Sequence, residues 1–176
     1  MTLPDGTLHP TERQLLDELG SLDPVETQTD NADHWVMLVD QAGSLVWFRP
    51  REGEWSALEV LAHLTVVELV NALRYRAMLA EDAPMLSDYG TTFWSSVLQA
   101  PGIQPLALLT MFRALRHDNL EFMSNLDEAG RARIGIHPEC GPESIELRFK
   151  MLAGHDLSHL AQARRAVAAA RADRPA

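Results

Sequence analysis

The sequence predicts an all-α protein that folds as a four-helix bundle. Apolar residues recur at helical spacing along most of the chain, and the alternation typical of strands is nearly absent. Each of the four long helical segments also begins at a proline or at a capping serine. One long connection separates the second segment from the third, and four long helices with one such crossover are typical of helical bundles.

The chain begins with an N-terminal extension, residues 1–22, which carries a short helix over residues 11–20. The first long helix follows, because Asp23 is a suitable N-cap and Pro24 suits the first helical position. It is expected to run to about Ala42, where a glycine ends it. Four apolar residues of this helix share one face and are predicted to be buried: Val25, Ala32, Val36 and Val39.

The second long helix has the strongest start signal in the sequence. Ser56 can accept a hydrogen bond from the N–H of Glu59 while the Glu59 carboxylate reaches back to Ser56, which is a capping box. The helix is expected to run to about Leu79 and is apolar on nearly all sides. The apolar side chains that do not face the bundle core would be exposed in a monomer. The sequence therefore predicts a homodimer in which Leu69 and Leu73 contact the partner subunit.

The rest of the chain supplies the crossover and two more long helices. Residues 81–104 are predicted to form the long crossover with a short helix inside it, because prolines and glycines surround an apolar stretch there. The third long helix is expected from Pro105 to about Leu126. The fourth is expected from near Pro142 to about Arg171.

Length and composition exclude several classes of protein. The 176 residues suit one domain, which we place at residues 23–171 before a frayed C-terminus at residues 172–176. The formal net charge of -10 argues against a nucleic-acid partner, and no segment predicts contact with a membrane. Cys140 is the only cysteine, so no intrachain disulfide can form. With no signal peptide evident, we expect a cytoplasmic protein.

Three histidines predict a metal site. His155 and His159 are four residues apart in a predicted helix, which places both imidazoles on one face with Cβ atoms roughly 5 to 6 Å apart. His63 lies on another helix and would complete a set of three nitrogen ligands with an open coordination position, as in catalytic sites. A lone histidine on an apolar helix face is more often a core residue, so from spacing alone His63 stays the weaker candidate.

Two polar residues of the fourth helix are candidates for the surroundings of this site. Asp156 falls among apolar neighbours, and a carboxylate buried there needs a partner. We expect a structural role, such as capping the second helix or accepting the Trp55 N–H. The alternative is that Asp156 orients a metal-binding imidazole. Gln162 follows His155 by seven residues, so it returns to the same side and could contact a metal-bound water or the substrate.

Further polar residues are weaker candidates. Asn71 and Asn119 fall on otherwise apolar faces and could line a polar cavity. His137 lies in the loop before the fourth helix, where we expect it to hydrogen-bond within the turn. No base is evident beside Cys140, so we expect this cysteine to be structural or incidental.

Two motifs together resemble a known family. G-E-W-S-x-x-E-V-L-A-H-L occupies residues 53–64, and H-D-x-x-H-L-x-Q occupies residues 155–162. Their order resembles the DinB-like, or YfiT-like, metalloenzyme superfamily over roughly residues 23–168; the DNA polymerase that shares the name is unrelated. The resemblance implies an up-down-down-up bundle that is often dimeric. It also implies a divalent metal bound by three histidines, which correspond here to His63, His155 and His159.

The resemblance also implies an activity, since characterised members of the family include S-transferases that use bacillithiol or mycothiol. The expected function is a thiol S-transferase that joins a low-molecular-weight thiol to a small-molecule electrophile with one divalent metal ion per chain: zinc, nickel or iron. A metal-dependent hydrolase is an alternative, because the same cation polarises water as well as thiol. A stress-induced metal-binding protein without turnover is the alternative outside the enzymes. The sequence assigns no individual catalytic residue.

Overall fold

The computed structural model describes residues 8–87 and 104–173. The elements within these ranges, in chain order, are α1 (Pro10–Leu19), α2 (Pro24–Ala42), a 3-10 helix (Gly43–Trp47), α3 (Ala57–Ala80), α4 (Pro105–Ser124), α5 (Glu128–Arg131), β1 (Ile134–His137), β2 (Gly141–Ser144) and α6 (Ile145–Ala172). The short helix predicted within the crossover lies outside the described residues. No helix of the described ranges is both long and apolar enough to cross a membrane.

Helices α2, α3, α4 and α6 form the bundle. Helices α2 and α3 each pack against both α4 and α6. All four contribute to one apolar core, in which Trp35 of α2 meets Phe112 of α4 edge to face, with ring centroids 6.5 Å apart. The described architecture is therefore the predicted helical bundle, with a small β-hairpin added.

Two of the predicted helix starts are formed as the sequence indicates. Asp23 accepts hydrogen bonds from the N–H groups of Val25 and Glu26, each at 2.9 Å, and Pro24 follows it. At α3 the capping box is complete, with Glu59 N–H donating to Ser56 Oγ at 3.2 Å and Ser56 N–H donating to Glu59 Oε2 at 2.8 Å. Such caps typically contribute about 1 kcal/mol each and set where the helix begins.

The buried face of α2 differs from the predicted one. Val25 is 44% exposed, so its predicted burial is wrong, and the other three apolar residues of that face are only partly buried. The fully buried side chains are instead Gln28, Asn31 and Trp35. Both amides can be buried because they donate to backbone carbonyls of α6, Gln28 to Phe149 at 3.1 Å and Asn31 to Asp156 at 3.1 Å. These cross-helix partners cannot be read from helical spacing.

The segment before α6 is a β-hairpin that sequence patterning did not reveal. Strands β1 and β2 are antiparallel, with Ile134 opposite Ser144 and His137 opposite Gly141. The fourth long helix therefore begins at Ile145 rather than near Pro142, because Pro142 lies within β2. Each strand has only four residues, too few for alternation to stand out from a loop.

Helix α1 packs directly against α6. The contact is closest at Gly154, where an added Cβ would lie 1.8 Å from the carbonyl oxygen of Leu15. Only glycine permits this approach, because any larger residue would push the backbone of α1 away. The N-terminal extension therefore covers α6 one residue before His155.

The predicted dimer can be tested on the outer face of α3. Leu73 is 54% exposed and Leu69 is partly exposed. If this face is an interface, the Leu69→Glu, Leu73→Glu double variant should form monomers or aggregate, because buried carboxylates would oppose association. Light scattering measures the change. Met37→Glu is the matched control, since Met37 is equally exposed on α2. A stable monomer for the unmodified protein would exclude the dimer.

Candidate metal centre

Helices α3 and α6 bring the three predicted histidines together. Nε2 of His155 lies 3.3 Å from Nε2 of His63 and 3.1 Å from Nε2 of His159. The ligand atoms of all three side chains lie within 4.8 Å of one another. Two of these candidate ligands come from successive turns of α6 and the third comes from α3. The capping box fixes the start of α3 and thereby the position of His63.

The spacing of these nitrogen atoms fits one divalent cation. Zinc–imidazole bonds of 2.0 to 2.1 Å in a tetrahedron separate neighbouring ligand atoms by roughly 3.3 Å, and an octahedral arrangement separates them by roughly 3.0 Å. The two measured separations, 3.1 and 3.3 Å, fall in this range. Three imidazoles leave at least one coordination position for a substrate, so the donor set suits a catalytic ion.

Burial keeps the three imidazoles neutral, which is the form that binds a cation. Loss of solvation, together with the neighbouring His159, lowers the pKa of His63 to about 4. Burial likewise places the pKa of His155 well below its ordinary value and lowers the pKa of His159. Because a protonated imidazole has no lone pair for a metal, these shifts favour metal binding near neutral pH.

Two further side chains contact the histidines. The Trp55 ring packs over the site, with its centroid 5.3 Å from that of His63 and 6.4 Å from that of His159. Gln162 Oε1 lies 2.8 Å from Nδ1 of His159, the ring nitrogen that faces away from the other histidines. The structure thus places Gln162 in contact with one of the predicted ligands.

An open groove begins beside these two residues. Trp55 and Gln162 are part of its wall, together with Arg51 and Arg165, and its volume is about 700 Å³. That volume lies in the range of sites for small molecules. The groove runs between the segment that precedes α3 and the C-terminal half of α6.

Comparison with known proteins assigns the fold family. The sequence model of the DinB superfamily matches residues 30–163, which include all three histidines. The chain belongs to the DinB superfamily. The resemblance carried by the two motifs is therefore confirmed. Helix α1 lies outside the matched range.

One solved structure shows the same bundle. YfiT from Bacillus subtilis, described as a probable metal-dependent hydrolase with an unusual four-helix bundle topology, superposes with a TM-score of 0.70. The match has 18% sequence identity and covers 84% of this chain and 87% of YfiT. At this identity the likeness establishes the fold, and it confirms the predicted four-helix-bundle class. No curated protein sequence matches the chain.

Asp156 of this DinB protein belongs to a buried ionic network beneath the histidines. Its Oδ2 lies 2.7 Å from Arg116 Nη1, and Arg116 Nη2 donates to Glu68 Oε1 at 2.8 Å. Asn119 donates to Glu68 Oε2 at 2.8 Å. All four residues are at most 2% exposed. The partner of Asp156 is thus Arg116 rather than Trp55 or a helix cap, and Asn119 contributes to the network.

The charges within this network do not balance, since one guanidinium lies between two carboxylates. Burial raises the pKa of Asp156 to about 7, because loss of solvation and repulsion by Glu68 outweigh attraction by Arg116. Arg116 was missed in the sequence. The available signal was an arginine on the buried face of α4, between Phe112 and Asn119.

Asn71 belongs to a different cluster near the hairpin. Its amide nitrogen donates to the carbonyl of Val67 at 2.8 Å, and its Oδ1 accepts from Arg148, which also pairs with Glu143. These contacts connect α3 with the start of α6. Among the hydrogen bonds of the described residues, none joins this cluster to the histidines of the candidate metal centre.

A second group of possible ligands lies in the hairpin, formed by His137, Cys140 and Glu143. Nδ1 of His137 accepts from the backbone N–H groups of Glu139, at 3.3 Å, and Cys140, at 3.2 Å. This confirms the predicted hydrogen bonding within the turn. Glu143 pairs with Arg148, and burial raises the pKa of the Cys140 thiol, which disfavours the thiolate that would bind a metal.

Proposed function

We propose that this protein is a metal-dependent thiol S-transferase that joins a low-molecular-weight thiol to a small electrophile. The observation that carries the proposal is the convergence of three neutral imidazole nitrogens at metal-ligand spacing beside a groove of small-molecule size. A divalent cation held there, whether zinc, nickel or iron, would supply a positive centre that lowers the pKa of a thiol. The resulting thiolate is the nucleophile in the proposed transfer.

The residues of this chain hold and shield the reacting groups. His63, His155 and His159 bind the cation without adding negative charge, so the full charge of the ion remains available to stabilise a thiolate. Trp55 packs over two of the imidazoles and limits access of water from that side. The groove beside Trp55 offers space for the electrophile.

Thiol transfer depends less than hydrolysis on a base among the neighbours of the histidines. Trp55 and Gln162 carry an indole and an amide, and neither group takes up a proton near neutral pH. Carboxylates are also close: Asp156, whose pKa burial raises to about 7, pairs with Arg116, and Glu54 lines the groove. Hydrolysis gains from a base that accepts the proton of water. A divalent cation held by the histidines would deprotonate a bound thiol outright, with the proton released to solvent, whereas bound water would keep a pKa of about 7, so thiol transfer would depend less on a base.

A metal-dependent hydrolase is the second candidate function. It is favoured by the likeness to YfiT, whose description names that activity. The same three histidines would hold the cation, and water would take the place of the thiol. The two functions therefore differ in the co-substrate and share the metal requirement.

The proposed transfer is tested by conjugation of thiols to a chromogenic electrophile. Activity should require both the divalent metal and an added thiol, and it should fall as acid protonates the imidazoles and the thiol. The Cys140→Ser variant should keep its rate within about twofold of the parent, because Cys140 is not the nucleophile. Initial rates with a panel of cellular thiols provide the measurement.

The outcomes of these assays distinguish the transferase, the hydrolase and the binding protein without turnover. Hydrolysis of an ester or amide by metal-loaded protein, without conjugation of any thiol, would move the assignment to the hydrolase. If metal-loaded protein shows neither activity, a binding protein without turnover is the remaining function. Loss of conjugation in Cys140→Ser would show that the protein's own sulfur takes part and would contradict the use of an external thiol.

A further inference from the structure

The contact between Gln162 and His159 bears on which ring nitrogen of His159 carries a proton. A neutral imidazole has one N–H, at Nδ1 or at Nε2, and only the Nδ1–H form leaves the Nε2 lone pair for a cation. Nε2 is the atom that faces the other two histidines, whereas Nδ1 lies 2.8 Å from Gln162 Oε1. An acceptor at that distance stabilises a proton on Nδ1.

The competing form is also visible in the geometry. Nε2 of His159 lies 3.1 Å from Nε2 of His155, so a proton on His159 Nε2 could be shared between the two rings. That hydrogen bond would use both of the nitrogens that the cation needs. The balance between the two forms therefore depends on what accepts a proton at Nδ1 of His159.

Gln162 is well placed to decide this balance. It follows His159 by three residues on α6, so one continuous helix holds both side chains on the same face. Its amide is partly exposed and lines the groove, where solvent can satisfy the NH₂ group while Oε1 accepts from the ring. In contrast, Nδ1 of His155 is buried and has no hydrogen-bond partner among the described residues.

We propose that Gln162 is a positioning residue that holds His159 in the Nδ1–H tautomer and so keeps its Nε2 available to a divalent cation. The inference rests on the proposed three-histidine metal site. It goes beyond that proposal because it assigns the orientation and protonation of one ligand to a side chain that does not itself bind the cation. Removal of such a partner of a metal-ligating histidine typically weakens metal affinity about 10 to 100-fold.

Two substitutions of Gln162 distinguish a role in positioning His159 from a role in side-chain packing. Gln162→Met keeps the length of the side chain and removes the acceptor, whereas Gln162→Glu keeps an acceptor for the Nδ1 proton. Arg165→Met is the matched control, because Arg165 lines the same groove and makes no contact with the histidines among the described residues. Circular dichroism establishes that each variant keeps its helical content.

The first readout is the ¹⁵N chemical shift of the His159 ring nitrogens in metal-free protein, which reports the tautomer directly. The parent, Gln162→Glu and Arg165→Met should show the Nδ1–H form, and Gln162→Met should shift towards Nε2–H. The second readout is zinc affinity, measured by competition with a chromophoric chelator. It should fall about 10 to 100-fold in Gln162→Met and stay within about threefold of the parent in the other two variants.

Unchanged tautomer populations in Gln162→Met would overturn the inference, as would an equal loss of zinc affinity in Gln162→Glu and Gln162→Met. Failure of the parent protein to bind zinc, nickel or iron would overturn the proposed function instead. In that case the ¹⁵N measurement would still decide the role of Gln162, because it uses metal-free protein.

Discussion

The His155→Ala, His159→Ala double variant is expected to lose its metal while keeping a folded bundle. A four-ligand zinc site contributes at least about 10 kcal/mol of binding free energy, or about 3 kcal/mol per ligand. Removal of two ligands should therefore weaken binding about 10⁴-fold. The bundle should persist because its apolar core, centred on Trp35 and Phe112, is separate from these side chains.

Elemental analysis of protein purified without a histidine tag measures the effect, and circular dichroism reports the fold. His34→Ala and His117→Ala are matched controls, since both histidines are exposed and lie outside the candidate metal centre. Each should retain the metal content of the parent. Full metal loading of the double variant would show that the cation binds elsewhere.

Arg116→Met is expected to destabilise the fold by about 3 to 5 kcal/mol, the usual cost of removing one partner from a buried ionic pair. The substitution leaves the carboxylates of Glu68 and Asp156 without the guanidinium that lies between them. It also removes the hydrogen bond that Arg116 donates to the carbonyl of Gln28 at 2.9 Å. The midpoint of urea unfolding, followed by circular dichroism, measures the change.

Two further variants test the physical reason. Lys150→Met breaks an exposed pair with Glu146 and should change stability by less than about 1 kcal/mol. In the triple variant Arg116→Met, Glu68→Gln, Asp156→Asn, no buried charge lacks its partner, so stability should recover relative to Arg116→Met. A single variant as stable as the parent would contradict the view that Arg116 neutralises buried charge.

The starts of α2 and α3 could be predicted because their causes are local. Asp23 with Pro24, and Ser56 with Glu59, satisfy N–H groups within three residues along the chain, so the pattern contains the whole interaction. The spacing of His155 and His159 is local in the same sense, since one helix places both on the same face. His63 was the weaker candidate from spacing alone, and its assignment depended on the family resemblance that the two motifs carry together.

Partners distant in the sequence could not be predicted in this way. Arg116 pairs with Glu68 of α3 and Asp156 of α6. Both partners are tens of residues away along the chain, so helical periodicity does not indicate either pair. The amides of Gln28 and Asn31 are buried on α2 because carbonyls of α6 accept from them, which reversed the expected burial of Val25. Burial of a polar side chain depends on what lies opposite, and helical spacing describes only the helix itself.

The sequence by itself therefore determined the bundle class and the start of α3, and with the family resemblance it also selected the three candidate histidines. Each of these follows from short-range periodicity, capping chemistry or a contiguous motif. The tertiary structure alone decided the partner of Asp156 and the position of Gln162 against Nδ1 of His159. Hydrogen bonds and ion pairs require distances near 3 Å, and only the packing of the helices sets such distances between residues far apart in the chain.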